Sequence, residues 1–148
     1  MNDKNDIKED LQRPAQLTLL CILSFIAGGF SILGNLYFYA FQDQIVTLVE
    51  GGFFQQFLDG NITLDFLRDV SPNFFLWQLI ANATSIIGVL LMWKLNSTGF
   101  HIYAISQIIL ILIPEVYLPG IPFPIMDILL SLVFILLYFK NLRSVGRI

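Results

Sequence analysis

Residues 128 to 137 read ILLSLVFILL, and residues 108 to 113 read IILILI. Wound as helices, both runs are apolar on every face, whereas a strand of a transmembrane barrel alternates apolar with polar over segments of roughly ten residues. The runs therefore decide for helix, and for helices with no face that requires water. Working outward, they lie inside two of four apolar blocks: Ala15 to Phe41, Phe74 to Leu95, Phe100 to Leu118 and Ile121 to Phe139. A hydrocarbon core of about 30 Å is crossed by about 20 helical residues, and each block supplies about that many. The expected fold class is an all-α membrane protein, a four-transmembrane-helix bundle with spans at about 15–41, 74–95, 100–118 and 122–140. Pro122 and Pro124 make the fourth strictly apolar helix rather short.

The rest of the composition agrees. A chain of 148 residues has room for one domain, and 56% apolar residues with a mean hydropathy of +0.74 exceed what an ordinary soluble fold carries. The first block is not a secretory signal: Asp3, Asp6, Glu9 and Asp10 precede it, its apolar stretch is too long, and no small-residue cleavage site follows. Leu20 before Cys21 excludes a lipoprotein, where a small residue would stand. Cys21 reads as a buried thiol behaving as a small hydrophobe, and a single cysteine makes neither an internal disulfide nor a CxxC pair.

Charge orients the bundle. Of eight Lys and Arg, seven lie in the N-terminal tail (Lys4, Lys8, Arg13), the second connection (Lys94) or the C-terminal tail (Lys140, Arg143, Arg147), and only Arg68 lies on the opposite side. Four spans put both tails and the second connection on one face, which the positive-inside bias makes cytoplasmic. The opposite face is acidic, with Asp43, Glu50, Asp59, Asp65, Asp69 and Glu115. The three C-terminal basic residues suit topology and anionic lipid rather than nucleic acid, which is not expected as a partner.

Residues 1–13 are polar and charged, as expected of a disordered cytoplasmic tail, and 143–148 form a second tail. Pro14 suits a first helical turn. The first span carries Ser24, Ala27, Gly28, Gly29, Ser31 and Gly34, small residues that permit close helix approach, either within the bundle or to a second copy. In the outer loop, 42–72, Ile45, Leu48, Val49, Phe53 and Phe57 recur at helical spacing, and a second short helix is expected from Thr63 to Val70. These short amphipathic helices are acidic where membrane-surface helices are usually basic, which leaves two readings: a lid over the bundle, or a docking surface for an extracytoplasmic protein partner through residues 44–70. Ser71 and Pro72 are expected to cap the second span. Asn96 to Gly99 make a tight hairpin, and Pro114, Pro119, Gly120, Pro122 and Pro124 stiffen the third connection. No internal repeat supports an inverted-repeat transporter.

Polar side chains within spans need a partner or a task. Asn35, Gln78, Asn82 and Asp127 fall in the outer halves of their spans, and Glu115 lies just above them, so the five form a candidate outward-open polar site. Asp127 is the sharpest, since no Lys or Arg lies inside any span to neutralise it. Its depth is modest, about 7.5 Å for five residues after Pro122. Structural glue and a binding or proton-relay role both stand. Gln107 and the other amides read as interhelical hydrogen-bond formers.

His101 stands without further ligands at metal-binding spacing, so neither a metal nor any other cofactor is expected. A catalytic set is not expected either: there is no aspartyl dyad, no Ser with a nearby His, no Cys pair and no phosphate loop. Trp77, Trp93, Tyr37, Tyr39, Tyr103, Tyr117 and Tyr138 cluster toward span ends and read as an aromatic belt. Of three Asn-X-Thr sequons only that at Asn61 would face outward.

Arg13-Pro14 followed by LTLLCILSFIAGG (17–29), with MWKLNSTGFHIYAISQI (92–108), resembles uncharacterised small four-span inner-membrane proteins of Bacteroidota. The resemblance implies a bacterial plasma membrane and carries neither an activity nor site residues. The expected function is that of a non-enzymatic accessory or scaffold subunit of a membrane complex. The alternative is a small oligomeric transporter or channel using the polar site around Asp127.

Overall fold

The computed structural model describes residues 14–51, 69–118 and 124–148. Four long helices stand among the described residues: α1 (Ala15–Glu50), α2 (Pro72–Trp93), α3 (Thr98–Tyr117) and α4 (Ile125–Ser144). All four are long and apolar enough to cross a membrane, and only 17% of the apolar window of α1 or of α4 is buried within the chain. Phe30, Leu33, Val116 and Met126 stand fully outside. Apolar surface on that scale suits a hydrocarbon solvent rather than water.

α1 continues past the limit expected for its span. It has 36 residues, about 54 Å at 1.5 Å per residue. A single residue, Phe41 (φ −126°, ψ 22°), leaves helical geometry and divides it there. Beyond it Gln42 Nε2 donates to the Val70 carbonyl at 2.7 Å, tying the extension to the chain leading into α2. The first loop helix expected over 45–57 is thus helical as far as Glu50 and follows the span directly across the break at Phe41. Its remainder and nearly all of the second loop helix lie outside the described residues, as do the 1–13 tail and most of the third connection.

The cap expected for α2 is present: Ser71 Oγ accepts from the Asn73 N–H at 3.4 Å, and Pro72 fills the first position, where no N–H is missed. At the other end Leu95 takes a left-handed φ of 57°. The Asn96 N–H donates to the Leu91 carbonyl and the Leu95 N–H to that of Met92, the Schellman pattern that usually uses glycine. α4 ends in the same way at Gly146 (φ 67°), with the Arg147 N–H on the Leu142 carbonyl. Between α2 and α3 the Thr98 N–H donates to Asn96 Oδ1, closing the hairpin.

Two apolar clusters hold the bundle. At the end that carries residues 14 and 148, Leu17, Leu20, Cys21, Met92, Tyr138 and Leu142 unite all four helices with Tyr103 of α3. At the loop end Val70, Phe74, Phe75, Ala81 and Ile113 gather with Phe38 and Tyr117, and α4 contributes nothing. There Phe38 stacks on Phe75 at 5.3 Å and 14°. The tight contacts run between α2 and α3 and between α1 and α2, and α4 is the loosely held helix. Its first half leaves Ile125, Met126, Leu129 and Leu130 exposed.

Tyr103 and Tyr138 correct the aromatic-belt expectation. They are core residues, 4% and 0% exposed, with ring centroids 5.0 Å apart in an edge contact. Trp77, Tyr37 and Tyr39 do face outward.

Candidate functional site

Between the two apolar clusters the helices turn polar side chains toward one another. Gln107, in the middle of α3, is the hub. Its Nε2 donates to Ser85 Oγ of α2 at 3.2 Å, and its Oε1 accepts from the Ser131 hydroxyl of α4 at 2.9 Å. One carboxamide thus joins three helices, with its donor and acceptor ends both used. The fourth joins through Ser24 of α1, which shares a 2.8 Å hydrogen bond with the Tyr138 hydroxyl of α4.

These groups border a cleft of about 170 Å³. α2 and α3 supply its floor with Asn82, Ser85, Tyr103 and Gln107, α1 supplies Ser24, Gly28 and Ser31, and α4 supplies Leu130, Ser131 and Phe134. Most of the exposed lining is apolar, its polar groups come from Ser, Asn, Gln and Tyr, and none among the described residues is charged. Because α4 departs from the loop-end cluster, the cleft opens between α1 and α4, where Ala27 and Leu130 are exposed.

Asn82 is 9% exposed. Its Nδ2 donates to the Gln78 carbonyl one turn earlier at 2.8 Å, while its Oδ1 accepts no hydrogen bond among the described residues. The Ser31 hydroxyl likewise makes none. Both groups border the cleft, so whatever fills it can supply their hydrogen bonds, and a filler that supplied none would bury them unmet at about 1–3 kcal/mol each.

Of the five residues singled out from the sequence, Asn82 lines this cleft. Gln78 is half-buried beside it on α2 and offers its backbone carbonyl. Asn35 turns its Nδ2 to the Ser31 carbonyl of its own helix at 2.8 Å. Glu115 is exposed near the end of α3. Asp127 is exposed in the first turn of α4, where the positive end of the helix dipole suits a carboxylate. Sequence reasoning missed the grouping of Ser24, Ser85, Gln107 and Ser131 with Tyr138. Each is an ordinary helical polar residue, and only the register between helices brings them together.

Among the described residues no three His, Cys, Asp or Glu side chains come together in a metal-ligating group. His101 is exposed and packs against the Phe100 ring. Set against protein-family models, curated proteins and solved structures, the chain matches none of them.

Proposed function

We propose that the chain is a multi-pass protein of a bacterial plasma membrane, with both ends cytoplasmic, that serves as a non-enzymatic accessory or scaffold subunit of a membrane complex. The observation that carries this reading is the length of α1. The helix outruns the roughly 30 Å of a hydrocarbon core and, after the break at Phe41, continues over 42–50 as a helical extension tied to Val70 by Gln42. With Asp43 and Glu50 it presents acidic side chains at the loop end. A segment already folded as helix lowers the entropic cost of docking, because fewer backbone angles must be fixed on contact. The partner is an extracytoplasmic or membrane protein that engages residues 44–70, with short amphipathic helices completing the loop. Orientation rests on the seven of eight basic residues carried by the tail side. Lipid is the surrounding solvent, and neither nucleic acid nor a cofactor takes part.

The test is mild-detergent purification of a tagged copy expressed from its own locus, followed by mass spectrometry. A stoichiometric partner should be lost when residues 44–70 are replaced by a flexible linker. A protein that runs alone, and whose linker variant has no phenotype, would overturn the role.

A second reading, a small oligomeric transporter or channel with a polar site around Asp127, draws support from the uncharged polar cleft. Four helices rarely enclose a pathway, so it requires a homo-oligomer. Proteoliposome flux of protons or solutes that is unchanged in both Asp127→Asn and Gln107→Leu would remove it.

A further inference from the structure

The geometry points to the cleft between α1 and α4 as a binding site for an uncharged polyhydroxyl group of about the size of glycerol. Size is the first constraint. A volume of about 170 Å³ holds on the order of six water-sized groups at about 30 Å³ each. That is the bulk of a three- or four-carbon polyol.

Chemistry is the second. Among the described residues no Asp, Glu, Lys, Arg or His lines the cleft. An ionic ligand would therefore enter a low-dielectric site without a counter-charge, which costs several kcal/mol. A purely apolar ligand fails for the opposite reason. It would leave the Asn82 Oδ1 and the Ser31 hydroxyl without partners in a region where lipid offers none. Gln107 has a second Nε2 hydrogen, and Ser131 Oγ, already donating, keeps its acceptor lone pairs. The cleft therefore offers both donors and acceptors within a small volume, the complement of adjacent hydroxyls, each of which donates once and accepts twice.

Access is the third constraint. α4 is fastened at the tail end through Tyr138 and Leu142, but supplies no side chain to the loop-end cluster. The opening this leaves is flanked by exposed Ala27 and Leu130. Such a mouth admits either a free polyol arriving from water or the glycerol head of a neutral lipid arriving sideways from the bilayer. In the second case the acyl chains remain outside along exposed Ile26, Leu33 and Leu129. The site is compatible with either role proposed above.

The full chain is purified in an amine-oxide detergent, which carries no hydroxyl. Native mass spectrometry measures adducts with 1-monooleoylglycerol, which keeps two adjacent hydroxyls, against trioleoylglycerol, which lacks a free hydroxyl, and oleoyl lysophosphatidic acid, which is charged. Saturation-transfer NMR measures erythritol, against glycerate as the charged counterpart. Expected is binding of at least one neutral probe, weakened about tenfold by Asn82→Leu and by Gln107→Leu, weakened by Ser31→Ala, and unchanged by Asp127→Asn. A monoacylglycerol adduct without an erythritol signal assigns the lipid source, and the converse assigns the free polyol. Circular dichroism and elution volume check each fold. Should both leucine variants unfold, Ser31→Ala decides, because the Ser31 hydroxyl holds no helix in place. The proposal is overturned if neither neutral probe binds the parent protein better than the folded variants. It is overturned equally if the charged counterparts bind as well as the neutral probes.

Discussion

Gly88 of α2 and Gly99 of α3 meet so closely that neither helix has room for a side chain at that point. A Cβ on Gly88 would lie 2.8 Å from the Tyr103 nitrogen and 2.9 Å from the Gly99 carbonyl oxygen, and one on Gly99 would strike the Gly88 carbonyl and the Met92 nitrogen. Backbone stands on both sides, so nothing flexible can yield. The hairpin at 94–97 holds the two helices adjacent, and the glycines set how closely they approach.

Gly88→Ala and Gly99→Ala should therefore each destabilise the protein, by about 1–3 kcal/mol as for an overpacked core. Gly29→Ala and Gly34→Ala, where a Cβ meets nothing within 4 Å, should be neutral or slightly stabilising through helix propensity. Thermal unfolding of the four variants in one detergent, followed by size-exclusion fluorescence, makes the comparison. Equal behaviour of all four would contradict the close crossing.

The spans were legible because hydropathy reports where lipid can lie along the chain, and Ser71-Pro72 announces a helix start through its own chemistry. Hydropathy places the end of the first span at Phe41, where the helix breaks, and the spacing of Ile45, Leu48 and Val49 marks the helical segment that follows it to Glu50. The cleft was less legible. Asp127 attracts notice because a carboxylate in a span is costly, yet it stands exposed in a first turn. Gln107 attracts less, since its importance comes from Ser85 and Ser131, 22 and 24 residues away. Which amide becomes the hub depends on helix rotation and register, and residues apolar on every face leave those undetermined.

Gln107 should behave as a structural bridge. Gln107→Leu removes two interhelical hydrogen bonds, and each such bond in a membrane protein contributes roughly 0.6 kcal/mol on average. A loss of about 1 kcal/mol is expected, with α4 loosening first. Hydrogen exchange should rise over Ile125–Ser144 more than over Pro72–Trp93. A uniform rise across both helices would count against α4 as the weakly attached element.

Ser24 and Tyr138 form the link from α1 to α4, and their contribution is separable from packing. Tyr138→Phe keeps the ring against Tyr103 and deletes the hydroxyl, while Ser24→Ala deletes the other partner. Each single change should cost about 0.5–1.5 kcal/mol. The double variant should cost little more than either, since the interaction is lost only once. Additive losses in that cycle would mean the two hydroxyls act independently.

Leu95 occupies a left-handed position at a cost of roughly 1–2 kcal/mol for an L-residue, and its side chain packs against the tail-end cluster. The two effects oppose each other. Leu95→Gly removes the strain and the packing together and should change stability by less than about 1 kcal/mol. Leu95→Ala keeps the strain while losing the packing, and should cost about 1–2 kcal/mol more than the glycine variant. Alanine at least as stable as glycine would show that the φ of 57° is not the conformation held in the membrane.

Cys21 offers a reporter for both packing and orientation. It is fully buried among Leu17, Tyr138 and Leu142, so a maleimide should label it only after denaturation, because a thiol shielded by the fold is out of the reagent's reach. In a Cys21→Ala background, Ser97→Cys in the second connection and Glu115→Cys near the third sit at opposite ends of α3. With seven of eight basic residues on the side of the second connection, the positive-inside bias places Ser97→Cys in the cytoplasm. A membrane-impermeant maleimide applied to intact spheroplasts should modify Glu115→Cys at once and Ser97→Cys only after lysis. The reverse order would invert the orientation and put the α1 extension, with its acidic side chains, in the cytoplasm. The partner sought through residues 44–70 would then have to be a cytoplasmic one.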